Sequence, residues 1–151
     1  MDSLYELNKL FENKTSREEM KAFMKLNDHE IICIAYVDNI AAGYCTGLMV
    51  KSVCHKSRRL DIEALFVKEE YRKKGIGKAL INFLEKEAEA RSILHFHIVA
   101  NKKNKTAKSL YKKSGYEDTG EILLDKTLSN EEPRCKREPA VRQGINPAFQ
   151  S

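Results

Sequence analysis

Leu65-Phe66-Val67-Lys68-Glu69-Glu70-Tyr71-Arg72-Lys73-Lys74-Gly75-Ile76-Gly77-Lys78 is the stretch on which the fold turns. Its first residues close a β-rich run, Leu60–Val67. Its last residues open an apolar stripe at helical spacing: Ile76, Ala79, Leu80, Phe83, Leu84 and Ala88. Between strand and helix lie two glycines and a basic cluster, Arg72, Lys73, Lys74 and Lys78. A helix start presents unpaired N–H groups and the positive end of the dipole, so it attracts anions. Glycines let the backbone come close to them. Lysines in the first turn oppose the macrodipole, and a bound polyanion relieves that conflict.

Two familiar phosphate loops do not fit. A P-loop needs glycine where Arg72 stands and a hydroxyl residue where Ala79 stands. A dinucleotide loop needs glycine or alanine at Leu80. ATP and NAD are therefore poor candidates for the anion.

Working outward, Leu4, Leu7, Leu10 and Phe11 have helical spacing. Ser16 and Glu19 have capping-box spacing ahead of a second helix with Met20, Phe23 and Met24. Ile31–Val37 reads as a strand, Asp38-Asn39 as a tight hairpin turn, and Ile40 to about Val50 as its partner. Gly43 and Gly47 within that partner suggest bulges or close backbone approach. After the helix from about Gly75 to Ala90, Ile93–Val99 reads as a strand. Lys103–Ser114 reads as a basic helix with Ala107, Leu110 and Tyr111 inward, and Gly115 stands as its C-cap. Glu121–Leu128 reads as a last strand. The order predicts an α/β (α+β) mixed sheet with helices on its faces, over residues 1–128. Residues 129–151 hold all three prolines among basic residues and read as a tail outside the core.

At 151 residues, 42% hydrophobic and 32% charged, the chain has the makings of one globular domain. No apolar run is long enough to span a bilayer, and Met1-Asp2-Ser3-Leu4 lacks the features of a secretory signal, so the expected location is the cytoplasm, with no membrane partner. Cys33, Cys45, Cys54 and Cys135 form no CxxC pair and read as reduced thiols. Cys54-His55 is too slight a cluster for zinc, and no metal is expected. The net charge of +5 gathers at the Arg72–Lys78 cluster and at Lys102, Lys103, Lys105, Lys108, Lys112 and Lys113. A nucleic-acid-binding module would also be basic. Yet the lysines are not interleaved with aromatics and no DNA- or RNA-binding signature occurs, so no nucleic-acid partner is expected.

These residues resemble the GNAT superfamily of acetyl-CoA-dependent N-acetyltransferases. Its loop, Arg/Gln-x-x-Gly-x-Gly/Ala, is matched by Arg72-Lys-Lys-Gly75-Ile-Gly77, and the apolar-aromatic-Val strand end by Leu65-Phe66-Val67. Its later helix, Asn-x-x-Ala-x-x-Leu/Phe-Tyr-x-x-x-Gly-Phe/Tyr, is matched by Asn104, Ala107, Leu110, Tyr111, Gly115 and Tyr116. The family usually opens with a strand, whereas this chain starts in a helix. The resemblance implies a mostly antiparallel sheet, splayed where the cofactor enters, and direct transfer from acetyl-CoA to an amine. It implies that Leu65, Phe66, Val67, Arg72, Lys73, Lys74, Gly75, Ile76, Gly77, Lys78, Asn104 and Tyr111 bind the cofactor. It further implies that Tyr111 is the acid for the departing thiolate. A homodimer is a form that many relatives take.

An amine attacks a thioester only when neutral, so a base must take its proton. Glu63, on the strand leading to the cofactor, is the candidate, and similar polyamine acetyltransferases carry a glutamate there. Asp61 shares its face by alternation and is the fallback. With Asp38 these carboxylates favour a small cationic amine as acceptor. His95 and His97 share one strand face and read as a hydrogen-bonded pair beneath a helix, with metal binding or base catalysis as alternatives. Tyr36 and Tyr44 are candidates for the acceptor wall, against a reading as core. A non-catalytic acyl-CoA sensor is the remaining alternative.

Overall fold

The computed structural model describes residues 1–10, 15–54, 57–124 and 126. Its elements are α1 (Asp2–Leu10), α2 (Arg17–Leu26), β1 (Glu30–Val37), β2 (Ile40–Lys51), β3 (Arg58–Val67), α3 (Ile76–Glu89), β4 (Phe96–Ile98) and α4 (Lys105–Lys113), with a 3-10 turn over Glu69–Tyr71. All of them lie in one compact unit, Met1–Gly120. A second unit begins at Glu121.

The sheet has the order β1-β2-β3-β4, antiparallel between the first three strands and parallel between β3 and β4. Asp38 and Asn39 turn the first hairpin with φ of 50° and 62°, the two positive angles of a type I′ turn. Gly43 is forced by close approach, since a Cβ there would sit 2.5 Å from the Phe66 carbonyl oxygen. The β2–β3 register slips between Thr46 and Gly47: Thr46 opposes Ala64, and Gly47 opposes Ile62. Glu63 is thus the extra residue of a β-bulge. The bulge reverses the alternation of side chains. Leu60 and Ile62 before it, and Leu65 and Val67 after it, join one core, while Ala64 and Phe66 join the other.

Those two cores lie on opposite faces of the sheet. On one, Leu80, Leu84 and Ala88 of α3 pack on Cys33, Cys45, Leu60 and Ile62. On the other, Leu4 and Leu7 of α1 pack on Tyr44, with Met20 of α2 beside them. The capping box of α2 is present: Glu19 N–H donates to Ser16 Oγ at 3.2 Å, and Ser16 N–H donates to Glu19 Oε2 at 2.8 Å. Burial pushes the Cys33 thiol up to about 11 and the Cys45 thiol up to about 12, so both stay protonated and unreactive.

Two expected strands are corrected. Ile93–Val99 shrinks to Phe96–Ile98, because Ile93 is drawn into the core beneath α3 while Leu94 and Val99 remain exposed. Over the expected Glu121–Leu128, residues 121–124 and 126 form neither helix nor strand, and Asp125, Thr127 and Leu128 lie outside the described residues. Apolar content does not suffice for a strand, which needs a neighbour for its N–H and C=O groups. Ile122, Leu123 and Leu124 are exposed. Phe11, His55, Cys135 and the expected tail at 129–151 also lie outside the described residues.

Candidate active site

The sheet opens at one place. β3 pairs with β4 only through Leu60–Phe96, Asp61–His97 and Ile62–Ile98, while its pairing with β2 runs on to Val67. Lys68 N–H donates to the Ala42 carbonyl at 2.9 Å, and the Phe66 carbonyl faces Gly43. Residues 66 and 68 therefore turn their backbone toward β2, and Leu65 and Val67 turn theirs toward the open edge. The Val67 carbonyl there accepts from Arg72 Nε at 3.0 Å. Phe66 contributes otherwise: its ring packs on the α1 side, 6.1 Å from Tyr44.

The loop leads from that edge into α3. Lys73 (φ 58°) and Gly75 (φ 82°) are both left-handed, with Lys74 between them at negative φ. Alternation of this kind suits successive N–H groups to form an anion nest. Ala79 N–H donates to the Gly75 carbonyl at 3.0 Å, so the amides of Ile76, Gly77 and Lys78 precede the first i→i−4 bond of the helix. Arg72, Lys73, Lys74 and Lys78 are exposed around this nest. The two glycines do different work. Gly75 is needed for its dihedral angle, and a Cβ there would meet nothing within 4 Å. Gly77 is needed for space: a Cβ there would lie 3.1 Å from Leu110 Cδ2, with Val67 and Leu65 next nearest. Gly77 was expected to clear room for phosphate; its side-chain direction is instead occupied by α4.

That contact places α4 beside the open end of β3. Asn104 caps α4, its Oδ1 accepting from Ala107 N–H at 3.0 Å, so its amide nitrogen is the group left to donate elsewhere. Tyr111 is half-buried on the inner face with Ala107 and Leu110. Burial, with a smaller contribution from Cys45, pushes its phenol above the usual tyrosine value. It remains a proton donor at neutral pH. Its ring meets that of Tyr116 edge-on, centroids 6.3 Å apart.

Carboxylates collect on the opposite face. Glu63, on the bulge, and Asp61 share it with Ala64 and Phe66. Glu30 at the start of β1 belongs to the same group and was absent from the sequence expectations. Its carboxylate accepts from Asn27 Nδ2 at 2.8 Å and is hydrogen-bonded to Thr46. Burial raises its pKa, and the charge of Glu63 adds to that rise. No motif marks Glu30; only the register that sets Thr46 between β1 and β3 brings it near Glu63. Asp61 is engaged by Arg59, Nε to Oδ1 at 2.8 Å.

His95, just before β4, and His97, on it, are a hydrogen-bonded pair, Nε2 to Nε2 at 2.9 Å, but both are exposed rather than covered by a helix. Tyr44 is core, 2% exposed, and donates to Asn8 Oδ1 at 3.0 Å. Tyr36 is exposed and Asp38 belongs to the hairpin turn. Among the described residues no three His, Cys, Asp or Glu side chains converge as a metal set, and no helix is long and apolar enough to cross a membrane.

Comparison with known proteins bears on this arrangement. The sequence model of the acetyltransferase (GNAT) family matches residues 1–116. An acetyltransferase of Yersinia pestis (strain Pestoides F) is 32% identical over 111 residues, 73% of this chain and 74% of the relative. AAC(6′)-Iy, solved in complex with the bisubstrate analogue CoA-S-monomethyl-acetylneamine, superposes with a TM-score of 0.72 at 17% identity, over 83% of this chain and 90% of that one. Ribosomal-protein-alanine N-acetyltransferase from Brucella melitensis biovar Abortus 2308 superposes with a TM-score of 0.67 at 20% identity, over 83% and 92%. At these identities the structural likeness is one of fold.

Proposed function

This chain belongs to the GNAT acetyltransferase family and is an acetyl-CoA-dependent N-acetyltransferase, and we propose that its acceptor is a primary amine of a cationic small molecule, polyamine-like or aminoglycoside-like, acetylated in the cytoplasm. The observation that carries the acceptor class is the grouping of Glu63 with Glu30 on one sheet face, Glu63 lying just past the last β3–β4 pair, with Asp61, held by Arg59, on the same face. Carboxylates there attract an ammonium group and would repel an acidic acceptor. The fold shared with AAC(6′)-Iy, an aminoglycoside N-acetyltransferase, is consistent with that class.

In this reading the thioester supplies an acyl carbon open to attack, and the chain supplies position and protons. The amides of residues 73–78, with the side chains of Arg72, Lys73, Lys74 and Lys78, hold the pyrophosphate, the Arg72 amide being spent on the Glu69 carbonyl. Leu65 and Val67 offer their backbone groups to the pantetheine amides, Arg72 releasing the Val67 carbonyl to do so. Phe66 keeps the strand anchored, and Asn104 donates its remaining amide hydrogens. Glu63 takes a proton from the ammonium, directly or through water, and the freed nitrogen lone pair attacks the acyl carbon. As the C–S bond breaks, Tyr111 gives its phenolic proton to the sulfur and regains one, through solvent, from the acylated nitrogen. The net products are amide, thiol and one released proton.

The test is a screen of amines by thiol release with acetyl-CoA. Diamines and aminoglycosides should turn over faster than amino acids or peptide N-termini. Glu63→Gln should lower kcat/KM for them by roughly 10²-fold, and Tyr111→Phe should lower kcat by a similar factor while acetyl-CoA still binds. Preference for a neutral or acidic acceptor would overturn the acceptor class, and unchanged turnover in Tyr111→Phe would remove Tyr111 as the acid.

A further inference from the structure

Tyr111 is not held by α4 alone. The helix ends in a Schellman motif: Gly115 N–H donates to the Lys112 carbonyl at 3.1 Å, and Tyr116 N–H donates to the carbonyl of Tyr111 itself at 3.0 Å. The contact that accompanies this motif, between the second residue past the cap and the third residue before it, is here the edge-on pair of Tyr116 and Tyr111 rings. Tyr116 is in turn tied to α3, its hydroxyl donating to Glu85 Oε1 at 2.7 Å. At the start of α3, Leu110, the residue before Tyr111, fills the space that Gly77 leaves open. The last two turns of α4 are thus pinned to α3 twice: by packing at its phosphate-binding start, and by a charge-assisted hydrogen bond farther along.

We propose that Tyr116 and Glu85 are positioning residues for the transfer step, setting the direction of the Tyr111 phenol through the helix end that Tyr116 shares with it. The inference rests on the reading of Tyr111 as the acid. Packing alone would be met by phenylalanine at 116. The hydroxyl adds a fixed bearing, because its bond to Glu85 ties the ring to α3 while the Tyr116 amide holds the Tyr111 carbonyl. Burial raises the pKa of Tyr116, and the bond to the Glu85 carboxylate raises it further, so this phenol stays a donor to Glu85 throughout the working range. A shift of Tyr111 of even about 1 Å is enough to cost up to 10²-fold in rate.

Steady-state kinetics on the full chain test this. Tyr116→Phe should lower kcat about tenfold while KM for acetyl-CoA and the circular dichroism spectrum stay at the wild-type values. Glu85→Leu should behave alike, and Glu85→Gln, which keeps an acceptor oxygen, should retain more activity than Glu85→Leu. Introduced into Tyr111→Phe, the Tyr116→Phe change should lower kcat no further, since there is no phenol left to aim. A merely structural role predicts instead the same fractional loss in both backgrounds, with KM rising, and that result would overturn the proposal. Wild-type kcat in Tyr116→Phe alongside a slow Tyr111→Phe would also overturn it and leave the acid in place. An unimpaired Tyr111→Phe would overturn both.

Discussion

Burial favours the protonated form of both Glu30 and Tyr111, with different consequences. For Tyr111 it keeps a phenol protonated, as a donor must be. For Glu30 it disfavours the carboxylate, and Glu63 disfavours it further. A carboxyl raised in the folded state costs nothing while both states are protonated. Its cost to stability grows as pH rises through the ordinary carboxylate range and levels off above the folded value. Glu30→Gln should therefore melt above the wild type at pH 7, and the gain should vanish at about pH 4. A variant less stable at pH 7 would mean that the hydrogen bonds from Asn27 and Thr46 outweigh the buried charge. The residues that match the family pattern, Arg72, Gly75, Asn104 and Tyr111, could be picked out because they sit at fixed spacings in single segments. Glu30 could not, since its nearness to Glu63 depends on pairing across three strands and on a bulge that no local pattern announces.

In the proposed function the loop and its helix carry cofactor binding, and the two glycines would separate binding from packing. Gly75 holds φ 82° with nothing near its absent side chain. Gly75→Val should leave the fold intact, yet strain the nest by about 1–2 kcal/mol, enough to weaken acetyl-CoA binding roughly tenfold. Gly77→Ala should act otherwise, pressing a methyl group toward Leu110 and lowering the melting temperature. Equal effects of both on affinity, with no loss of stability in Gly77→Ala, would contradict this division. Sequence periodicity found α3, the hairpin and the α2 capping box, each written in local spacing. It overextended β4 and placed a strand on Glu121–Leu128, because an apolar run looks the same whether it pairs, enters a core or stays exposed.

At the scale of the molecule, one break in a sheet organises the rest. Strands β1 to β3 are continuous, β4 departs after Ile98, and the loop with Gly75 and Gly77, α4 and Glu63 lie along β3 beyond that departure. The basic charge that a nucleic-acid module would spread along a surface is here gathered partly around an anion nest. The splay itself could be inferred from family likeness but not from residue patterns, since a strand's sequence does not say where its neighbour leaves it. The central claim, that this opening takes acetyl-CoA, is tested most directly by calorimetric titration of the full chain with acetyl-CoA, alongside ATP, NAD and a short DNA duplex. Saturable binding of acetyl-CoA, with the other three inert, is the expected result. A folded protein that ignores acetyl-CoA, or that binds only the duplex, would contradict it.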